Sequence, residues 1–193
     1  MSSFEFLSVF ISVVVGLGMA HLLTGVGRLI HQAGAARLSA AHLFWTAYVF
    51  CFMVVYWWTV VFGYVEWQNW NIIIFLFILA YGVLIFLLAV VLYPTHLPEP
   101  WDMQAYFLRM RRWFFGLLIL LILTELTDTG LKSHFDDFSV PYFLVTGSWA
   151  GIAVVGWIST SPRTQNAIAG YGLISLVSWV GYQLRDLEWM ISR

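Results

Sequence analysis

The sequence predicts an all-α polytopic membrane protein, a compact bundle of six transmembrane helices. The 193 residues are 61% hydrophobic and only 10% charged, whereas a soluble domain averages about 25% charged residues. The apolar residues form six runs, each near the roughly 20 residues that a helix needs to cross the hydrocarbon layer of a bilayer. We therefore expect residues 1–193 to form a single transmembrane domain, with no soluble domain.

Short polar or proline-containing breaks separate the six predicted helices. Ser39 and Asp102 are expected to cap the second and fourth helices, and Ser161-Pro162 has the pattern of a helix start. The prolines between Pro94 and Trp101 interrupt the chain between the third and fourth helices. The spans are expected at about residues 4–30, 42–65, 70–93, 112–132, 141–158 and 162–184.

Two segments outside these spans also have a predicted character. Residues 103–112 are expected to form a short interfacial helix that runs into the fourth span. The tail after residue 184 is short and amphipathic. Aromatic residues between the second and third spans are expected to form a belt at the membrane surface. Its members are Trp58, Tyr64, Trp67 and Trp70.

The basic residues predict how the bundle is oriented. Six lie on the side of the first, third and fifth loops: Arg28, Arg37, Arg109, Arg111, Arg112 and Arg163. Three lie on the side of the termini: Lys132, Arg185 and Arg193. Because cytoplasmic loops carry the excess of Lys and Arg, both termini are expected on the outer side of a plasma membrane, such as a bacterial inner membrane. The first apolar segment lacks a basic n-region and a small-residue cleavage site, so we expect it to be a retained helix.

Small residues recur at helical spacing on two predicted helices. Gly16 and Ala20 belong to a row in which every fourth residue is small, and Gly147 and Gly151 form a GxxxG pair. Such rows allow another helix to approach closely. The expected partners are membrane lipid and either further copies of this chain or other membrane subunits. A net charge of −1 gives no reason to expect a nucleic-acid partner.

The acidic end of the fourth span is the main candidate site. Glu125 and Asp128 lie one helical turn apart, where a carboxylate is costly and therefore a functional hypothesis by default. Lys132 follows Asp128 by four residues, in the favourable order for an ion pair. Glu125 lies one turn deeper and has no partner at helical spacing except Lys132. Thr124 is expected to help solvate the carboxylates. Glu125 is expected to face an internal cavity accessible to water or a cation, with Asp128 toward the outside.

His21 is a second candidate, within the first span. Arg28 shares its helical face. The ring could be an ordinary hydrogen-bonded histidine in a packed interface, or it could be one member of a proton relay with Glu125, bridged by water and by Tyr182 of the sixth helix. No metal site and no cofactor are expected. Haem b is kept as an alternative, and it would need two facing imidazoles at one depth.

Patterns of enzymes and nucleotide-binding proteins are absent from the sequence, including GxSxG, the P-loop, CxxC and GxGxxG. We therefore do not expect an enzyme, although a lipid- or quinone-directed activity stays open. The sequence favours an ion or proton pathway in which Glu125, Asp128 and His21 take part. The alternative is a non-catalytic accessory or assembly subunit of a larger membrane complex.

Overall fold

A computed structural model describes residues 3–31, 37–64, 67, 69–94, 102–133 and 139–191, with backbone alone at residues 3, 133 and 184–191. This part of the chain is all-helical, as predicted, and has no strands. The helices are α1 (Ser3–His31), α2 (Ala40–Gly63), α3 (Ile72–Leu92), α4 (Met103–Ser133), α5 (Val140–Ile158) and α6 (Pro162–Ile191).

The helix starts follow local capping rules. The Ser39 hydroxyl accepts a hydrogen bond from the backbone N–H of His42 at 3.5 Å, and Asp102 Oδ1 accepts one from the N–H of Ala105 at 2.8 Å. Each bond satisfies one of the N–H groups that a helix leaves unpaired at its start. α6 begins at Pro162, where the missing proline N–H costs nothing. The predicted caps are therefore confirmed.

Two helices are longer than the predicted spans. α4 begins at Met103, so the expected interfacial segment and the fourth span are one continuous helix. α6 continues to Ile191, so the residues of the predicted tail that the structure describes belong to the same helix as the sixth span. No proline or glycine stands between Gly181 and Ile191, and nothing in the local sequence therefore stops the helix.

Five of the six helices, α1 to α5, are long and apolar enough to cross a membrane. The described side chains of α6 include Arg163, Gln165 and Asn166, and this part of the helix does not reach the same hydropathy. That α6 also crosses the membrane stays a prediction.

α2 lies at the centre of the bundle, where it contacts α1, α3, α4 and α6. The outer helices also pack in pairs, α1 on α3, α3 on α4, α4 on α5 and α5 on α6. The core follows α2 along its length: Trp45, Val49 and Met53 are fully buried, and Tyr56 is nearly so. The centre of the bundle is therefore filled by side chains of α2 and its neighbours.

Two glycines allow a neighbouring aromatic ring to lie against a helix backbone. A Cβ atom at Gly25 of α1 would overlap the ring of Tyr93, and one at Gly156 of α5 would overlap the ring of Phe115. Both glycines are buried. Close approach within the chain thus occurs at these positions because only a hydrogen atom separates backbone from ring.

The residues predicted to make close helix contacts are other small residues of α1 and α5: Gly16, Ala20, Gly147 and Gly151. A Cβ at Gly16, Gly147 or Gly151 would meet no atom within 4 Å, and Ala20 is exposed. As contacts within the described chain, these four predictions are wrong. The periodicity identifies rows of small residues correctly, but the rotation of each helix turns these four members outward. Contact with a second chain stays a prediction.

Candidate functional site

Five side chains, from α3, α4 and the residue that follows α2, form an acid cluster: Tyr64, Tyr81, Glu125, Asp128 and Lys132. Lys132 Nζ lies 2.6 Å from Asp128 Oδ2, so the ion pair predicted from the spacing on α4 is confirmed. The hydroxyl of Tyr64, which follows the end of α2, donates a hydrogen bond to Asp128 Oδ1 at 2.5 Å. Both carboxylate oxygens of Asp128 are therefore engaged, and the residue is 5% exposed.

Glu125 has a partner that helical spacing does not reveal. The hydroxyl of Tyr81 on α3 donates a hydrogen bond to Glu125 Oε2. The ring of Tyr81 packs against the ring of Tyr56 on α2, with centroids 4.6 Å apart, and the Tyr56 hydroxyl donates to the carbonyl of Ile78 at 2.6 Å. The partner of Glu125 comes from a different helix, so a search for partners at helical spacing along α4 could not find it.

A small cavity lies beside Glu125 between α2, α4 and α5. Its volume is about 10 Å³, and its polar lining includes Tyr48, Thr146 and Trp149. A cavity of this size holds about one water molecule. It is too small for a hydrated cation, so the expected water-filled or cation-accessible cavity is reduced here to a single water-sized void.

Two residues expected to support the acids point elsewhere. Thr124 Oγ1 donates to the carbonyl of Leu120 in its own helix at 2.9 Å, and this bond uses its single hydroxyl proton. Tyr182 is 46% exposed, and its ring stacks on Trp179 with centroids 5.6 Å apart. These contacts do not support the predicted roles of Thr124 in solvating the acids and of Tyr182 in bridging to His21, which stay predictions.

Tyr64 was expected in a lipid-facing aromatic belt but is fully buried. Its ring packs against Trp67 and Trp70, with centroids 5.6 and 6.0 Å away. Burial raises the pKa of Tyr64, and the nearby Asp128 carboxylate raises it further. The phenol therefore keeps its proton and remains a donor to Asp128. Trp58, at 47% exposed, is accessible on the outer surface, as expected of a belt residue.

A second polar cluster, the histidine cluster, lies at the opposite end of α2. Its side chains bond to carbonyls at the end of α3 and just after it: His42 Nε2 to Leu92 O at 2.8 Å, His21 Nε2 to Tyr93 O at 2.8 Å, and Arg28 Nη1 to Pro94 O at 3.5 Å. A helix leaves its last carbonyls without internal partners, and its C-terminus carries partial negative charge. His42 therefore satisfies the last carbonyl of α3, and His21 and Arg28 hold the two residues that follow the helix.

The two clusters are not connected in this conformation. From His42 to Tyr64, α2 rises by about 33 Å, close to the hydrocarbon thickness of about 30 Å. Between Thr46 and Tyr56, the buried Val49 and Met53 form part of an apolar layer about 15 Å deep. No hydrogen bond observed between described side chains crosses this layer, and the relay from His21 to Glu125 stays a prediction.

The histidine cluster contains the two imidazoles that could be considered as axial ligands of haem b. His21 and His42 bond to consecutive carbonyls and so lie at similar depth, as a bis-histidine haem requires. However, each Nε2 must carry a hydrogen to donate to its carbonyl, and such a nitrogen cannot bind iron at the same time. Among the described residues, no group of three or more His, Cys, Asp or Glu is placed to hold a metal ion. These residues therefore do not favour haem.

Comparison with known protein families, with characterised proteins and with solved structures finds no match to this chain. The fold and its two polar clusters define the class of protein. It is an all-helical membrane protein in which five helices are apolar enough to cross the bilayer. A buried acid cluster lies at one end and a histidine cluster at the other.

Proposed function

We propose that this protein handles protons in a membrane and that Glu125 is the group that takes up and releases the proton. The observation that carries the proposal is the pairing within the acid cluster. Glu125 is held by a neutral donor, Tyr81, while the ammonium of Lys132 is bound to Asp128. A carboxyl group that lies inside a membrane span without a counter-ion of its own is suited to proton exchange.

Size and ligand chemistry support a proton over a metal cation. Hard cations such as Ca²⁺ and Mg²⁺ take six or more oxygen ligands, usually with several waters. The cavity beside Glu125 has room for about one water. One water in contact with Glu125 could carry a proton, whereas the cavity cannot hold a hydrated metal ion.

A proton that crosses the whole membrane needs a second conformation of the bundle. The apolar layer at Val49 and Met53 separates Glu125 from the histidine cluster in the conformation described above. Opening of this layer would bring Glu125 into contact with water from the other end, where His21 is half-buried. We therefore propose coupled movement rather than a permanently open channel, with His21 at the far end of the route and Asp128 at the near end.

Proton flux into liposomes tests this proposal. Purified protein is reconstituted around a pH-sensitive dye, and an acid step is applied with and without valinomycin and potassium. We expect flux with the wild type and its loss with Glu125→Gln, because glutamine keeps the shape and hydrogen bonding but cannot titrate. Glu5→Gln makes the same chemical change in the exposed first turn of α1 and should leave the flux intact. Absence of flux from folded wild-type protein under every gradient would contradict the proposal.

Infrared difference spectroscopy tests the site independently of transport. A pH step should change the carbonyl-stretch band of a protonated carboxylic acid in the wild type. Glu125→Gln should remove that band, and Tyr81→Phe should shift it, because Tyr81 bonds to the same carboxyl group. A titrating band that is unchanged in Glu125→Gln would assign the proton to another group.

A second candidate function is an accessory or assembly subunit that binds another membrane chain or a further copy of itself. The favouring observation is a surface groove of about 470 Å³ between α1 and α2. Ser8 and Ser12 of the small-residue row line it, and Trp57 Nε1 donates to Ser12 Oγ at 2.9 Å. Gly16 continues the row with open space above it.

Purification in mild detergent separates the two functions. A subunit should co-purify with a defined partner or as a stable oligomer, and Gly16→Leu should abolish that association without lowering the stability of the monomer. Gly181→Leu is the control, because a Cβ at Gly181 also meets no atom within 4 Å but lies on α6, away from the row. A monodisperse monomer that shows proton flux in liposomes would contradict the proposal that the protein is an accessory or assembly subunit.

A further inference from the structure

Lys132 is seated in a pocket built by α2 as well as by its own helix. Its Nζ atom lies 2.6 Å from Asp128 Oδ2, 3.5 Å from the backbone carbonyl oxygen of Thr59 and 4.6 Å from the centroid of the Tyr64 ring. The side chain of Lys132 is 21% exposed and that of Asp128 is 7% exposed. The ammonium is thus held in position by three groups of the protein.

Gly63 makes room for this side chain. A Cβ atom at Gly63 would lie 3.0 Å from Cε and 3.2 Å from Nζ of Lys132, tighter than ordinary van der Waals contact. The last turn of α2 therefore has space for the ammonium because residue 63 has no side chain.

The groups around Nζ are those that bind a small monovalent cation. They comprise a carboxylate oxygen, a carbonyl oxygen and the face of an aromatic ring, and ring faces attract ammonium groups through their quadrupole. Lys132 fills this position with a cation that belongs to the chain.

We propose that Lys132 is the specificity-determining residue of the acid cluster: its tethered ammonium occupies the cation position beside Asp128, excludes inorganic cations, and leaves the proton as the cation that the cluster exchanges. The inference rests on the proposed function and adds its ion selectivity. The titratable groups that interact with the ammonium are Asp128 and Glu125 of α4 and Tyr64 from the α2 side, and those that interact with the two carboxylates are Tyr56 of α2, Tyr81 of α3 and Tyr142 of α5.

Replacement of the tethered cation by a free one tests the inference. Lys132→Ala removes the ammonium and most of the stem, which leaves Asp128 beside an empty cation position. Melting of the detergent-solubilised variant is measured at constant ionic strength in methylammonium, ammonium, sodium or potassium chloride. N-Methylglucamine, which is too large for the position, serves as the reference cation. We expect the wild type to melt alike in all five salts and Lys132→Ala to gain about 4 °C at saturating small cation.

A double variant isolates the carboxylate. In Asp128→Asn/Lys132→Ala the position has lost its anionic ligand, so the melting temperature should not depend on the cation. If Lys132→Ala melts alike in all five salts, the inference is overturned. If Lys132→Ala accumulates poorly, purification is repeated in methylammonium for both Lys132→Ala and Lys132→Gln. Recovery that depends on methylammonium supports the inference, and loss of both variants in every salt overturns it.

The same variants distinguish failure of the inference from failure of the proposed function. Proton flux is measured separately in liposomes with sodium or potassium outside. Wild-type proton flux without any cation effect on Lys132→Ala overturns the inference alone. A cation effect on Lys132→Ala in a protein without proton flux overturns the proposed function, and with it the selectivity role of Lys132.

Discussion

Tyr81 of α3 donates a hydrogen bond to the Glu125 carboxylate of α4, and this bond joins two neighbouring helices inside the bundle. Tyr64 makes the equivalent bond to Asp128 from the end of α2. Two tyrosines from two helices thus each hold one of the two acids of a third helix. The acid cluster therefore forms only when α2, α3 and α4 are packed together.

The first prediction concerns the coupling of Tyr81 and Glu125. Tyr81→Phe removes the donor and should lower the free energy of unfolding by about 0.6–2 kcal/mol, the range for a hydrogen bond between membrane helices. Glu125→Leu, which removes the acceptor, should cost less in the Phe background than it does in the wild type, because the bond is already lost. Unfolding of all four proteins in detergent gives the double-mutant cycle. Additive effects would show that the two side chains do not interact.

Asp128 should matter more for stability than Glu125. Asp128→Asn keeps the side-chain shape but leaves the ammonium of Lys132 without its anion, and breaking a mostly buried pair costs about 2–4 kcal/mol. Glu125→Gln retains an oxygen that accepts from Tyr81 and should cost less. Chemical unfolding at neutral pH measures both. A larger loss for Glu125→Gln would mean that Glu125 carries a structural charge.

Glycine substitutions on α1 should separate its packed face from its outer face. Gly25→Ala places a methyl group in the ring of Tyr93 and should destabilise the protein by about 1–3 kcal/mol through overpacking. Gly16→Ala meets no atom within 4 Å and should be neutral or slightly stabilising, because alanine has the higher helix propensity. Thermal melting of the two variants measures the difference. Equal losses would place Gly16 in a contact that a single chain does not contain.

His42 should be the most important side chain of the histidine cluster. It is fully buried, and its bond to the Leu92 carbonyl satisfies a group at the end of α3. His42→Phe leaves that carbonyl without its partner and should cost about 1–3 kcal/mol. His31→Phe makes the same change at an exposed position of α1 and serves as the control. If the two variants unfold alike, the bond to Leu92 contributes nothing to stability.

Reporter fusions test the orientation and the number of spans together. Six Lys and Arg on one side against three on the other predict outward termini. A reporter inserted in the turn at Ser159–Ser161 should be cytoplasmic, and a reporter fused after Arg193 should be periplasmic. Arg193 itself lies outside the described residues. The reverse pattern would invert the topology, and both reporters on one side would show that α6 does not cross.

Sequence alone determined the features that depend on neighbours along the chain. The helices, the Ser39 and Asp102 caps and the Asp128–Lys132 pair involve residues no more than four positions apart. Within that distance helix geometry decides which groups meet. The sequence also predicted a membrane protein, because apolar runs of about 20 residues have the length that a helix needs to cross the bilayer.

Tertiary structure decided which face of each helix meets which neighbour. Gly16 and Gly18 lie two positions apart on α1, yet Gly18 packs on Met53 while Gly16 meets nothing within 4 Å. Tyr81 reaches Glu125 across 44 positions of sequence. Lipid is as apolar as the bundle interior, so hydrophobicity does not rotate a membrane helix toward its partners, as it does in water. Steric fit and long-range hydrogen bonds set that rotation, and they are visible only when the helices are packed together.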